Sequence, residues 1–550
     1  MALYFYFATT QPIAVRKKLS LRTSIFGLKE RVSRSVSSHL IADRPGAISD
    51  GFIKIGTRVS PVLARSNDSF VLPEVRRSSA LTVFGILERN NIDYWTLASE
   101  SDTATIICID ERQSERVMAA LEADAAVSHW YARQIARNGQ TLAAVYRVGD
   151  GKLRSAWAGI GLYEVIAHPT HQTFSSGSAQ GVELIFWEQS KAGHQMQSKV
   201  WNPRVVELPN PKYQAEEFAL ALERANQPLA NEPDFPIDAV YTWVDGTDEA
   251  WQWAKAEAQS GDSGDSLIQD ALAAARFADH DELRYSLRSI EQFAPWVRKI
   301  WIVTSGQVPE WLDLENPRVA VVTHEEIWPN SDGLPNFNSH AIEANLHRID
   351  GLAEHYLYFN DDMILGRSVG ASKFFHGNGV SKFFYSRALV NFNEISEEDN
   401  ASTIAAKNAR NAMAAHGSAT ASRKFFHTPS PLRRSVTEKL EGVHPALFEV
   451  TRKAQFRQQT DVAVAGSFYF NVAGAMGAAV PGRLRYEYID PATSDGRHRM
   501  RQVIAKRDCD TICVNDGSTD ETDEQRIDTD VFIRQSLEEF LPVASTFEKS

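Results

Sequence analysis

From residue 236 onward the chain alternates short apolar strands with amphipathic helices, and no other feature restricts its fold as tightly. Such alternation is the pattern of a mostly parallel sheet with helices on its faces. Ile237 to Val244 reads as the first strand, Lys299 to Thr304 as the next, and Val319 to Val322 as a third. Leu283, Leu287 and Ile290 recur at helical spacing and predict a helix over 283–293. Ala341 to Ile349 reads as a helix stopped by Gly351, and His355 to Phe359 as the strand that follows. In open α/β sheets ligands bind beyond the carboxyl ends of the strands. Three strands here run out into polar residues: Asp245-Gly246-Thr247-Asp248, Ser305-Gly306 and Asn360-Asp361-Asp362.

At 550 residues there is room for more than this one domain. Residues 78–208 read as a smaller N-terminal α/β accessory domain, with a helix around Leu81 to Leu87, a strand at Thr105 to Ile109 and a later strand at Gly181 to Trp187. Residues 1–75, Arg/Ser-rich and weakly periodic, read as a loosely ordered leader. Residues 209–235, punctuated by Pro209, Pro211, Pro228 and Pro233 with one helix-like piece, Glu216 to Arg224, between them, read as a linker region. That leaves 236–550 as the domain that carries chemistry.

The formal net charge of −12 argues against a nucleic-acid partner held through its phosphates. Cys108, Cys509 and Cys513 are too few and too scattered for a disulfide framework. Cys509 and Cys513 have no second Cys or His pair nearby in sequence, so a zinc site is not expected. A reducing, cytoplasmic setting fits. At the N-terminus the charges follow a short apolar stretch, the wrong order for a secretory signal. No segment reaches the ~18 uninterrupted apolar residues of a membrane span. Peripheral association with the inner face of the plasma membrane stays open.

Two carboxylates and an amide directly after an apolar strand suit a hard divalent cation, and through it a diphosphate; they also suit a plain turn. Asp245-Gly246 makes a good turn and helix start. Tyr241 and Trp243 share one face of the first strand, where they either stack on a base or pack in the core. Arg284 and Arg288 share a helix face, and with Arg276 they form either a phosphate-binding set or an ion-pair ladder with Asp279, Asp281 and Glu282. Glu343 lies four residues before His347, and Arg457 four before Asp461, spacings that also suit simple pairing. His427 precedes Thr428-Pro429-Ser430-Pro431, whose prolines fix the chain behind it. Asn515-Asp516-Gly517-Ser518 does not fit the calcium-loop spacing, because Ile512 stands where the first ligand belongs.

The order of these pieces along the chain says more than any one of them. Ile237-Asp238-Ala239-Val240-Tyr241-Thr242-Trp243-Val244-Asp245-Gly246 is followed by Arg276-Phe277 and by Glu282 through Ile290. Ala294-Pro295-Trp296, Ile302 through Gln307, Asn316-Pro317-Arg318, His347-Arg348-Ile349 and Asn360-Asp361-Asp362 come next, then His427, Arg457 to Asp461, and Cys513 to Asp516. This series resembles the Stealth family, sugar-1-phosphate transferases of bacterial capsule and exopolysaccharide synthesis. They are related to the animal enzyme that tags lysosomal hydrolases with N-acetylglucosamine 1-phosphate. All four characteristic regions of the family are recognisable across about 237–520. The first 230 residues carry no part of this and look similar to the accessory region of actinobacterial members.

The resemblance implies a GT-A-like, Rossmann-related nucleotide-sugar-transferase fold. It implies transfer of a hexose 1-phosphate from a UDP-sugar to a polysaccharide or glycolipid hydroxyl, with UMP released. It also implies Glu343, Asp362, His427 and Arg457 as the catalytic set. Mg2+ or Mn2+ is then expected on Asp362 and Asp361. Asp238, Tyr241, Trp243, Asp245, Gly246, Arg276, Arg284, Arg288, Asn336, Asn515 and Asp516 are expected around the nucleotide sugar. Either His427 or Glu343 would take the acceptor proton. An ordinary glycosyltransferase releasing UDP, or a non-catalytic glycan-binding protein, are the competing readings. The sequence departs from the pattern in two places. The first strand ends Val-Asp-Gly where animal relatives have Val-Asn-Gly, which leaves a metal role for Asp245 unsupported. Glu394 to Ser422 is polar, Ala-rich and poorly patterned.

Overall fold

A computed structural model describes residues 51–549, apart from 58–59, 100–104, 203, 262–276, 278, 397–398, 418–419 and 516–521. It divides into two compact units, the first running to Gln227 and the second comprising Pro228 onward together with Val71–Pro73.

In the first unit an eight-stranded sheet runs Glu207–Pro209, Gln195–Ser198, Val182–Gln189, Gly159–Tyr163, Tyr131–Ile135, Thr141–Arg147. Tyr94–Leu97 and Thr105–Asp110 join alongside. The helices Leu72–Arg89 and Ser114–Ala123 bury Val83, Ile86, Leu87, Val117 and Leu121 against Ile107, Ile109, Leu184 and Phe186. One sequence expectation needs correcting. The supposed leader is folded where it is described. Phe52–Thr57 and Ser60–Ser66 pair antiparallel, and Ile53, Ile55 and Val62 pack beside Ala64 and Tyr131. These strands are too short, and too closely set among Arg and Ser, for a window of periodicity to show them. In the linker region the helix-like piece Glu216 to Arg224 is a helix, and it is packed rather than loose. This helix, Ala215–Ala225, lays Phe218, Ala221, Leu222 and Ala225 onto the core beside Trp95.

The second unit is built on a five-stranded sheet. Its elements, in chain order, begin with β1 (Ile237–Thr242), α1 (Glu282–Phe293), β2 (Val297–Thr304), β3 (Val319–Thr323), α2 (Ser339–Glu343), β4 (His355–Asn360) and β5 (Met363–Leu365). They continue with α3 (Ala401–Met413), β6 (Ser430–Arg433), α4 (Arg434–Val443), α5 (Pro445–Lys453), β7 (Tyr486–Ile489), β8 (Thr511–Val514) and α6 (Asp523–Phe540). The sheet order is β3-β2-β1-β4-β6, parallel except that β6 runs antiparallel to β4. β1 and β4 are buried almost throughout, which is why they read as continuous apolar runs rather than alternating ones. A second, three-stranded sheet, β5-β8-β7, begins where β4 ends. Among the described residues no helix is long and apolar enough to cross a membrane.

α1 shows how the C-terminal segment is held. Leu283, Leu287 and Ile290 face the sheet, as their spacing predicts, but the opposite side of the helix is buried as well. There Arg284 donates through Nε to Glu548 at 2.6 Å. Arg288 donates to both carboxylate oxygens of Glu548, at 2.8 and 2.9 Å, to Glu538 at 3.0 Å and to the Leu541 carbonyl at 2.9 Å. Glu548 also accepts from the Ser545 backbone N–H at 2.8 Å. Burial alone would raise the Glu548 carboxyl, but Arg288, Ser545 and Arg284 outweigh it and hold it at about 2. Because its folded value lies below the ordinary 4.5, the stability it contributes is fully present above 4.5 and is lost as pH falls through the folded value. Glu548→Gln should therefore lower the unfolding free energy at pH 7 by about 3 kcal/mol. In urea titrations the gap from wild type should narrow steadily below about pH 4.5. A gap independent of pH would show that the charge is not what holds the tail.

Candidate functional site

The strand order reverses at β1. The chain moves outward through β2 and β3, then returns to lay β4 on the other side of β1. Loops leaving β1 and β4 must diverge there, and the crevice between them is where open α/β sheets place ligands. Asp361 and Asp362 stand in the two-residue turn joining β4 to β5. β5 pairs antiparallel with β8, Met363 opposite Cys513, and Val514 N–H donates to the Asp362 carbonyl at 3.0 Å. That pairing brings residues about 150 positions away onto the Asp362 carboxylate. Cys513 Sγ donates to its Oδ2 at 3.2 Å and Asn515 Nδ2 to the same oxygen at 2.9 Å. His427 comes from the chain just ahead of β6, the strand that flanks β4, and its Nε2 lies 3.3 Å from Asp362 Oδ1.

A second wall carries Glu343 and Arg457. Asn338 caps α2 by accepting from His340 N–H at 3.1 Å, which fixes the turn that presents Ser339 and Glu343. Glu343 Oε2 accepts from Ala465 N–H at 3.1 Å, and Arg457 Nη2 donates to Ser339 Oγ at 2.8 Å. The loop bearing Arg457 is secured by Asp461, which is fully buried and accepts from Asn338 Nδ2 at 2.8 Å and Gln458 N–H at 3.0 Å. Members of both sequence pairs at spacing four also find partners elsewhere: His347 bonds Glu441, and Asp461 bonds Asn338. The poorly patterned segment contributes α3, whose Asn408 Nδ2 donates to the Gln459 and Asp461 carbonyls at 2.8 and 2.9 Å and braces that same loop.

The charges of the two walls meet. Burial raises the Glu343 carboxyl, while His340, Arg457 and His427 pull it back. Desolvation would lower His427, but the Asp362 carboxylate overrides it and the imidazole is raised. Burial likewise works against ionised Asp362, yet His427, Asn515 and Cys513 keep it below its ordinary value. Asp361 behaves oppositely: burial and the charges of Asp362 and Asp279 push it up to about 8. Glu282 is raised well above the ordinary range by burial and by Asp361 and Asp279. Asp362 Oδ1, moreover, is buried and receives no well-aligned hydrogen bond from the described residues. Crowded carboxylates driven towards neutrality, with an acceptor oxygen left over, are what a hard divalent cation relieves. The donor set around Asp361 and Asp362 fits Mg2+ or Mn2+.

Several other expected contact residues have structural partners within the fold. Asp238 lies at the opposite end of β1, fully buried, where it accepts from Arg298 at 2.8 and 2.6 Å, Trp301 Nε1 at 3.0 Å and Ala353 N–H at 2.9 Å. Tyr241 has no exposed surface with which to stack on a base. It packs on Phe359 and hydrogen-bonds Ser286 at 2.8 Å. Trp243 is buried and donates to Asp279 at 3.3 Å. Asp245 closes its own turn onto Thr247, and Gly246 is required because a Cβ there would stand 2.0 Å from the Phe277 carbonyl. Arg284 and Arg288 are consumed by the C-terminal clamp rather than free for phosphate. Asn336 holds the Gly333 and Ala454 carbonyls. Arg276 and Asp516 lie outside the described residues.

Sequence reasoning missed Cys513, Asp279 and Glu282 as members of the site. Asp279 and Glu282 look like ion-pair partners for the arginines after them. Cys513 has no second Cys or His pair nearby in sequence, and the β5–β8 register is what places it beside Asp362.

Family models for the Stealth protein's conserved regions 1, 2 and 3 match residues 235–262, 276–383 and 426–473. An exopolysaccharide phosphotransferase of Streptomyces coelicolor is 33% identical over 86% of this chain and 84% of its own length. The exopolysaccharide phosphotransferase CpsY of Mycobacterium tuberculosis is 31% identical over 88% of this chain and 91% of its own. A further Streptomyces coelicolor exopolysaccharide phosphotransferase is 33% identical over 92% of this chain, which spans only 54% of that protein. Among solved structures, the galactosyltransferase LgtC, crystallised with donor and acceptor sugar analogues, is 10% identical with a TM-score of 0.30. It covers 56% of this chain and 96% of its own. The bifunctional glycosyltransferase WbbM is 10% identical with a TM-score of 0.29, over 56% of this chain and 50% of its own. Scores that low carry no argument about mechanism.

The placement of Asp238 is open to a direct test. Asp238→Ala should destabilise the protein by about 3 kcal/mol, because it strands the Trp301 and Ala353 donors and the Arg298 charge. Turnover per folded molecule should stay within about twofold of wild type. Full stability with lost turnover would return Asp238 to the site.

Proposed function

The chain belongs to the Stealth family of phosphotransferases, and from that premise we propose that its second unit moves a hexose 1-phosphate from a UDP-sugar to a glycan hydroxyl. N-acetylglucosamine 1-phosphate is the candidate group, and a polysaccharide or glycolipid the acceptor. The acceptor oxygen attacks the β-phosphorus. The bond from that phosphorus to the bridging oxygen breaks, UMP leaves with the bridging oxygen, and the hydroxyl proton passes to a base on the enzyme. One observation carries this reading: His427, Asp362, Glu343 and Arg457 converge electrostatically beside crowded carboxylates at the sheet's switch point.

Each residue has a role its surroundings support. Asp362 and Asp361 would hold Mg2+ or Mn2+, which when bound supplies charge neutralisation on the diphosphate. Arg457, presented by a braced loop and tied to Ser339, is suited to charge growing on phosphoryl oxygens. Asn515 holds Asp362 in orientation. For the base, the surroundings favour His427 over Glu343. The His427 side chain is 41% exposed and reachable by an acceptor from solvent, whereas Glu343 is engaged by the Ala465 N–H. Three free, buried cysteines support a reducing, cytoplasmic setting.

Incubation with a panel of UDP-sugars, a glycan acceptor and Mg2+ or Mn2+ should release UMP and leave phosphate in the product. Release of UDP would make the protein an ordinary glycosyltransferase, and binding without turnover would make it a glycan-binding protein. Asp362→Asn and His427→Ala should each cut turnover by about 10²–10⁴ with folding intact. If both retain wild-type turnover, the assignment of the site is wrong. Chelation with EDTA should abolish UMP release, and added Mg2+ or Mn2+ should restore it. Undiminished activity after exhaustive chelation removes the cation from the proposal.

A further inference from the structure

Asp362 lies next to Asp361, but both of its carboxylate oxygens also have neighbours of a different chemical kind. Asp362, His427 and Cys513 each offer one atom, a carboxylate oxygen, an imidazole nitrogen and Sγ, and these lie within 4.8 Å of one another. Sγ and Nε2 stand 3.2 and 3.3 Å from the two oxygens of the same carboxylate. In a tetrahedral zinc site the bonds are about 2.0–2.3 Å, which puts neighbouring ligand atoms roughly 3.5 Å apart, so atoms that now lie within 4.8 Å must close by about 1.3 Å at most. Asp362 itself is buried to 7% exposure, and its Oδ1 is the oxygen left without an aligned donor. The partly open His427 side chain gives an ion a way in.

We propose that Asp362, His427 and Cys513 form a second metal site, selective for zinc and similar thiophilic ions, that competes with the catalytic cation for Asp362. Nitrogen and sulfur donors prefer Zn2+ to Mg2+ or Mn2+ strongly, as the order of divalent affinities requires. Capture forms Zn–S, Zn–N and Zn–O bonds. It breaks the S–H bond of Cys513 and needs a neutral imidazole, so the displaced protons go to solvent and no oxidant or reductant is involved. Zinc would then withdraw both the carboxylate and the imidazole that the proposed phosphotransfer needs. The inhibitory consequence rests on that reading of function; the binding site does not.

The test is zinc K-edge X-ray absorption on the full-length protein loaded with one equivalent of Zn2+, alongside binding titrations. The expected spectrum has one sulfur at about 2.3 Å and nitrogen or oxygen neighbours at about 2.0–2.1 Å. Cys513→Ser should lose the sulfur shell and weaken zinc binding on the order of 100-fold. That loss also excludes Cys108 and Cys509 as the source. If Cys513→Ser does not fold, His427→Asn serves instead, and it must weaken zinc binding comparably. Wild-type zinc with no sulfur neighbour, or unchanged affinity in a folded variant, overturns the proposal. In a separate arm, stoichiometric Zn2+ should suppress Mg2+-supported UMP release, with recovery on chelation and readdition of Mg2+. No UMP under any condition defeats the function while leaving the absorption result standing. Normal UMP release with no sulfur shell defeats this inference alone.

Discussion

Pairing of β4 with β1, after the chain has gone out through β2 and β3 and come back, is the constraint on which the rest of the second unit depends. Ile237 through Thr242 match His355 through Asn360 residue for residue, and Thr242 Oγ1 meets the Tyr358 hydroxyl at 3.0 Å near the exit. A slip of one residue would exchange the two faces of β4, moving Tyr356 and Tyr358 to where Leu357 and Phe359 now pack. β4 is flanked on both edges, by β1 and β6, so its backbone is satisfied without water and cannot drift. The turn after it is therefore a fixed point. Asp362 is aimed by the sheet, β8 is registered against β5, and His427 enters because β6 must lie beside β4.

The buried carboxylates of this unit fall into two kinds. Burial opposes ionisation of Glu548, Asp510 and Glu441, but the chain surrounds each with arginine, lysine or histidine and all three are held low. Burial equally opposes Asp361, Glu282 and Asp279, and there the charged neighbours are chiefly other carboxylates, among them Asp362 and Asp281, so all three are raised. A fold able to neutralise its buried acids elsewhere leaves these uncompensated at the switch point. Asp362 beside them is different: it is buried, yet His427, Asn515 and Cys513 hold it low. These contrasts in neighbours explain why net charge and motif spelling alone left the Asn360-Asp361-Asp362 turn undecided.

What the sequence made legible follows from what it encodes locally. Strands such as Ile237–Thr242 and His355–Asn360, and the helix with Leu283, Leu287 and Ile290, announce themselves through apolar spacing. The polar turn after β4 stands out for the same reason. The gathering of Glu343, Asp362, His427 and Arg457 came from the order of motifs, not from spacing. Partner choice was not legible at all. Arg284 and Arg288 look identical whether they hold a phosphate or a buried Glu548 some 260 residues away, and Asp238 gives no sign that Arg298 and Trp301 will claim it. Cys513 was hidden for the same reason, since its neighbour is set by the β5–β8 register.

The segment that least resembles the rest of the pattern reaches the loop of the proposed catalytic arginine after all. α3 buries Ile404, Ala405 and Ala409 and commits Asn408 to two carbonyls of the loop that carries Arg457 and Asp461. Its influence on chemistry therefore runs through backbone position rather than through contact with phosphate. A guanidinium on a braced loop meets a developing charge without reorganising, and misplacement by about an ångström costs on the order of 100-fold in rate. The alanine-rich composition fits a helix in this position, because small side chains let it pack close against the loop. The packing asks only for small buried residues and one well-placed amide, and many sequences meet so loose a requirement. A stretch can therefore lack any recognisable pattern over 394–422 and still fix where Arg457 stands.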